Sequence, residues 1–239
     1  MPSLESLPTY RLDPSSWLVL ATGAVALLAV VPDRIWRITR TVVTIVHEAG
    51  HALVAVLTGR RLTGIRLHSD TSGVTLSVGR PTGPGMVATT AAGYPTPSLV
   101  GLLGVVLLAA EQVTIMLWAS TAVLLAMLVM VRNAYGALAV LATGAVVVGI
   151  SLYATADVQA AFGHAATWFL LIGAVRAVGE LARERRNARR RPGPTRTRTR
   201  TTDADQLSRL TGLPAAACVG LFGLVTVGSL TAGGWLLLS

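Results

Sequence analysis

The chain has 239 residues, 52% of them hydrophobic and 13% charged, which leaves too few polar groups to cover a water-soluble globule of this size. Its formal net charge is +9, but nine of the twenty basic residues, all of them Arg, lie between Arg183 and Arg200. The charge therefore belongs to one segment. With no interleaved aromatics and no groove-reading motif it argues against nucleic-acid binding, and it fits the positive-inside rule and attraction to anionic lipid headgroups.

From the N-terminus, residues 1–16 are polar and carry Glu5 and Asp13 beside only Arg11. That is not the basic start of a cleavable signal, so the first apolar segment is expected to be retained. A bilayer core of about 30 Å needs about 20 apolar residues as helix. Seven stretches qualify as candidates: 17–31, which is short, then 35–57, 86–110, 113–131, 135–156, 158–178 and 213–238. The third is interrupted by Gly93-Tyr94-Pro95-Thr96-Pro97, where two prolines remove amide donors and disfavour helical geometry before them. If the first or third fails to cross, the number is six.

Between the second and third stretches, Ile65 and Leu67 alternate with polar residues, as do Val74, Leu76 and Val78, around a turn at 69–73. This predicts a β-hairpin. The expected fold is thus an all-α polytopic membrane protein with six to seven transmembrane helices and a short hairpin. Its parts are a polar segment 1–16, a membrane core 17–180 with the hairpin at 63–79, an Arg-rich, solvated cytoplasmic loop 181–202, and 203–239 as an amphipathic start and a final span. Counting sides from that loop places the N-terminus, Arg60, Arg61, Arg66, Arg80 and Arg132 inside, and Arg34, Arg37 and Arg40 outside. The single Cys218 excludes a disulfide framework or a thiolate metal cluster.

The chemistry concentrates in the second stretch, at His47-Glu48-Ala49-Gly50-His51. Histidines four residues apart on a helix share one face, so two ring nitrogens can meet one metal ion. Glu48 is turned by about 100° from His47, close enough to move a proton without being a ligand. Zinc held there brings the pKa of a water towards about 7, with Glu48 as general base for attack on a peptide carbonyl. The competing reading is three polar residues satisfied by helix neighbours. Three ionisable groups within five residues of an apolar span cost several kcal/mol unless they face a cavity or bind something.

His47-Glu48-Ala49-Gly50-His51-Ala52, followed by Leu57-Thr58-Gly59, Gly73-Val74-Thr75 and Ala91-Ala92-Gly93-Tyr94, resembles the M50 group of site-2-protease-like intramembrane metallopeptidases. The most similar part of that group is its short, M50B-like bacterial branch. The resemblance implies zinc, a membrane-embedded site, cleavage of transmembrane protein or peptide substrates near the cytoplasmic side, and a multi-pass protein of the bacterial inner membrane.

One part of the family pattern is missing. Site-2 proteases take a third ligand from a Leu-Asp-Gly motif, and the corresponding Val131-Arg132-Asn133-Ala134-Tyr135-Gly136 offers only Asn133. Catalytic zinc usually has three protein ligands. Asp203, in Thr202-Asp203-Ala204-Asp205-Gln206-Leu207, is the best substitute, and the segment is similar to a Ser-Asp-Ala stretch of the M50B-like branch. Asp203 also fits a helix N-cap with Gln206 as its reciprocal partner, so capping and ligation both stand. Asp205 and Glu180 are further candidates, and His68 and His164 need no special role. Arg132 and Arg176 are expected to snorkel. The sequence therefore points to an intramembrane zinc endopeptidase in which His47, His51 and Asp203 bind zinc and Glu48 is catalytic. The alternatives are an inactive membrane scaffold or regulator and, without internal repeats to support it, a transporter.

Overall fold

The computed structural model describes residues 14–190 and 202–239. In chain order the elements are α1 (Pro14–Val30), α2 (Asp33–Leu57), β1 (Arg61–Leu67), β2 (Gly73–Val78), α3 (Pro84–Ala92), α4 (Pro95–Ala109), α5 (Val113–Met130), α6 (Ala134–Tyr153), α7 (Ala156–Arg190), α8 (Asp203–Thr211) and α9 (Ala215–Leu238). Helices α2, α5, α6, α7 and α9 are long and apolar enough to cross a membrane, α3 and α4 pass the same test only when taken together as one segment bent by 68°, and α1 is a shorter apolar helix. Ile38, Leu138 and Leu224 are among the large apolar side chains left open on the outside. In a bilayer that exposure carries no penalty, because lipid is as apolar as the side chains. The fold is the expected all-α membrane bundle with one hairpin between α2 and α3.

The bend between α3 and α4 falls where the two prolines stand. Thr96 Oγ1 donates to Ala92 O (2.7 Å) and Ser98 Oγ to Pro95 O (2.8 Å), so hydroxyls serve carbonyls near the interrupted amide ladder, as a break at membrane depth requires. Three cores hold the bundle. One gathers Ile45, Ile65, Leu67, Leu117, Leu124, Met127, Val131 and Val140 from α2, the hairpin, α5 and α6. A second joins Val178 and Leu181 of α7 to Ala204, Leu207, Cys218 and Phe222, with Val87, Ala91 and Tyr94 packed against it. The third sets Val30, Trp36 and Val43 on Phe169, Ile172 and Ala177 of α7.

The strands pair antiparallel from Arg61↔Val78 to Leu67↔Gly73, with an irregularity between Leu62 and Gly64. The far edge of β1 is also used. Val131 bridges Ile65, and Arg132 N donates to Ile65 O at 2.9 Å. Asn133 continues the ladder with its side chain: Nδ2 donates to Leu67 O (2.6 Å) and Oδ1 accepts from Leu67 N (3.2 Å). Among the described residues β2 has β1 as its strand partner and a second edge unpaired.

Three expectations are corrected. The Arg-rich segment was expected as loop from residue 181, but α7 runs on to Arg190, because Leu, Ala, Arg and Glu are all good helix formers. Residues 191–201 of that segment, and 1–13 of the polar N-terminal segment, lie outside the described residues. Side-counting had set Arg40 and the Arg-rich segment on opposite faces, yet Arg40 pairs with Glu180 at 3.4 Å, one turn before Arg183. Arg176 does not merely snorkel. It donates to the carbonyls of Val30 and Val31, pairs with Asp33, and stacks 5.0 Å from the Trp36 ring. The α1–α2 turn is thereby pinned near the Arg-rich end of α7, a fold-back that counting straight crossings does not anticipate.

Candidate metal centre

On α2, His47 and His51 stand one turn apart and present their rings to the same point, with centroids 4.7 Å apart. His51 Nδ1 lies 2.6 Å from the carbonyl oxygen of Thr89 on α3. A carbonyl only accepts, so Nδ1 carries a proton, and in the neutral ring Nε2 is the nitrogen left to face a cation. The ring is oriented by an outer partner, as metal-binding histidines commonly are. His47 meets Tyr94 edge-on at 4.8 Å, and Tyr94 stacks on Phe222 of α9 at 5.3 Å. Each imidazole is thus set by the broken span.

The third group arrives from α8. Asp203 Oδ2 is 3.1 Å from His47 Nε2 and 3.2 Å from His51 Nε2, and the two Nε2 atoms are 3.1 Å apart. The capping reading assigned the wrong residues. Thr202 is the N-cap and Asp205 its reciprocal partner: Asp205 N donates to Thr202 Oγ1 (3.3 Å), and Thr202 N donates to Asp205 Oδ2 (3.2 Å). One step along, Asp203 is released from capping and faces the histidines. Burial pushes its carboxyl pKa up, but the charge and hydrogen bonds of His51 and His47 outweigh that and hold it below the usual carboxylate range.

Asp205 is held in place by Arg185 of α7, whose Nη1 donates to Oδ1 at 2.5 Å. Partial burial raises its pKa and the hydrogen bonds from Arg185 and Thr202 lower it further, so this carboxyl too stays below its ordinary value. Glu180 is engaged elsewhere, accepting from Trp36 Nε1 at 2.7 Å and facing Arg40 and Arg176. Asn133 is spent on Leu67. His68 lies in the hairpin turn, His164 Nδ1 meets Ala160 O at 2.9 Å, and Arg132 donates to Val129 O at 2.6 Å. Of these candidates, the structure brings together His47, His51 and Asp203, the one group among the described residues able to hold a metal ion.

Glu48 is buried at 3% exposure beside the cluster. Its Oε2 accepts from Thr75 Oγ1 of β2 at 2.6 Å, and Thr75 Oγ1 also reaches the Glu48 carbonyl at 3.2 Å. Thr44 Oγ1, one turn earlier, donates to Thr71 O at 2.8 Å. The hairpin is thus laced to α2 along the face that carries Glu48. Two glycines permit these approaches. A Cβ on Gly93 would stand 2.6 Å from His47 Nε2, and one on Gly73 would stand 2.6 Å from Glu48 Cδ. Thr75, Thr89 and Tyr94 had no role assigned from sequence. For Thr75 the signal was there: it is the polar position between Val74 and Leu76 on a strand whose alternate residues turn inward.

The sequence matches the family description Peptidase M50B-like over residues 20–233. No curated protein and no solved structure matched. That match takes in α2 with its histidines, the hairpin, the broken span and α8 with Asp203, so the chain belongs to the Peptidase M50B-like family of metallopeptidase-type membrane proteins.

Proposed function

We propose that this protein is an intramembrane zinc metalloendopeptidase that hydrolyses peptide bonds of transmembrane protein or peptide substrates. The observation that carries the reading is the position of Asp203. It supplies a carboxylate where the Leu-Asp-Gly motif is missing, and with it the two histidines form a nearly equilateral triangle of donor atoms 3.1–3.2 Å on a side. Three tetrahedral zinc ligands at about 2.0–2.1 Å stand roughly 3.3 Å apart, so the donor set fits that ion.

His47, His51 and Asp203 would hold the zinc. When bound, zinc supplies an acidified water and polarises the peptide carbonyl. Glu48 takes the proton of the attacking water on its carboxylate and delivers it to the leaving amine. Thr89 keeps His51 in the tautomer that leaves Nε2 free, and Tyr94 keeps the His47 ring upright. A substrate segment unwound at the membrane can add as a strand to the unpaired edge of β2, which brings its backbone beside Glu48. The reading as an inactive scaffold drew on the absent third ligand, and Asp203 removes that support. We place the protein in a bacterial inner membrane with the Arg-rich segment cytoplasmic, against anionic headgroups.

The test uses purified protein in vesicles and a quenched-fluorescent synthetic transmembrane peptide whose apolar run is interrupted by Gly-Pro. Glu48→Gln is expected to keep one zinc per chain and lose cleavage by at least about 100-fold, within the range general-base catalysis supplies. Unchanged cleavage in that variant would sink the mechanism.

A further inference from the structure

We infer that Thr75 is a positioning residue for Glu48, and that through it the hairpin strand open to substrate also sets the catalytic base. The inference rests on the peptidase reading above and adds to it the element that aims the carboxylate. A threonine hydroxyl that donates at 2.6 Å to Oε2 fixes one carboxylate oxygen, while the other, Oε1, packs against Gly73. The same hydroxyl lies 3.2 Å from the Glu48 main-chain oxygen, so it touches both ends of the residue. From the other side Gly73, two residues earlier on the same strand, closes on the carboxylate so nearly that a Cβ there would sit 2.5 Å from Glu48 Cγ. Glu48 is therefore held between the inward positions of β2.

The strand itself is anchored at both ends, with Arg60 Nε donating to Ser77 Oγ at 3.1 Å at the far one. Thr44 Oγ1 holds the turn at Thr71 O, and β1 is bound on its far edge by Val131 and Asn133. β2 remains the outer strand, with Val74, Leu76 and Val78 turned outward and Gly73, Thr75 and Ser77 turned in. A peptide added to its open edge completes the ladder around Thr75 and stiffens the strand that grips the base. Substrate docking and base orientation are in this way one event, which limits proton transfer without substrate.

The experiment compares wild type, Thr75→Val, Thr75→Ala and Thr75→Ser in vesicles with the Gly-Pro-interrupted peptide. Valine has the same shape and suits a strand, and alanine is the second variant should valine disturb folding. Expected is one zinc per chain in all four, kcat lowered about 10- to 100-fold in Thr75→Val and Thr75→Ala with KM changed less than about threefold, and recovery to within about threefold in Thr75→Ser. In parallel, the infrared carboxylate band of Glu48, isolated by subtracting the Glu48→Gln spectrum, is expected to shift in Thr75→Val and to stay in place in Thr75→Ser. Wild-type kcat in Thr75→Val and Thr75→Ala, or failure of serine to restore it, overturns the positioning role. A zinc-loaded wild type that cleaves nothing overturns the peptidase reading instead, and the band shift, which needs no substrate, separates the two failures.

Discussion

Gly93 shows how little space the centre leaves. Its α-carbon backs onto both imidazoles, and a single methyl there meets His47 Cε1 and Nε2 at 2.6 Å, closer than any packed pair tolerates. The rings sit where a carbonyl and an aromatic edge hold them, so they cannot swing aside without losing Thr89 or Tyr94. Gly93→Ala is expected to lower zinc affinity at least tenfold, measured by metal content after dialysis against a graded chelator. Gly144→Ala, on α6 with open space around the added carbon, is the matched control and is expected to keep the wild-type affinity. Equal retention by the two variants would mean that the imidazoles are not fixed by the broken span.

At the scale of elements, α8 is nine residues long and owes its place to its cap and to Arg185. A helix this short is marginal alone, so the Thr202–Asp205 box and the ion pair to α7 decide whether Asp203 stays on the histidines. Asp205→Ala removes the ion pair and the carboxylate half of the box, while the amide of residue 205 still donates to Thr202 Oγ1. Loss of a side-chain hydrogen bond with a charged partner costs on the order of 1 kcal/mol, and the expected result is a lower melting temperature together with weaker zinc retention, although Asp205 is not itself in the triangle. A melting temperature and zinc affinity equal to wild type would show that α8 docks by its apolar face alone, through Ala204 and Leu207. The pH dependence follows from the same bonds. The folded-state pKa of Asp205 is depressed, so its contribution is complete above its unfolded value of about 3.9 and is lost as pH falls through the lower folded-state value. Docking of α8 should therefore hold across neutral and mildly acidic pH and fail only in strong acid, which intrinsic fluorescence of the metal-free protein can follow.

Over the whole molecule, what sequence revealed and what it hid divide by range. His47, Glu48 and His51 are legible because a four-residue spacing on a helix is a local fact, and the spans are legible because their length and apolarity are local too. The hairpin follows from alternation. Asp203 stands 152 residues from His51, and no periodicity links them. Its neighbour Asp205, not Asp203, turned out to complete the cap, a one-residue difference in register that sequence pattern does not resolve. The fold-back of α1–α2 onto Arg176 and Glu180, and the grip of Thr75 on Glu48, are likewise contacts between distant segments whose residues are individually ordinary. The central claim is that α2 and α8 together build one metal site, and the most direct measurement is zinc stoichiometry of the purified wild type, Asp203→Ala and Asn133→Ala. The account predicts one zinc per chain in wild type and in Asn133→Ala, and loss of tightly held zinc in Asp203→Ala. Wild-type zinc content and affinity in Asp203→Ala, or their loss in Asn133→Ala alone, would contradict it.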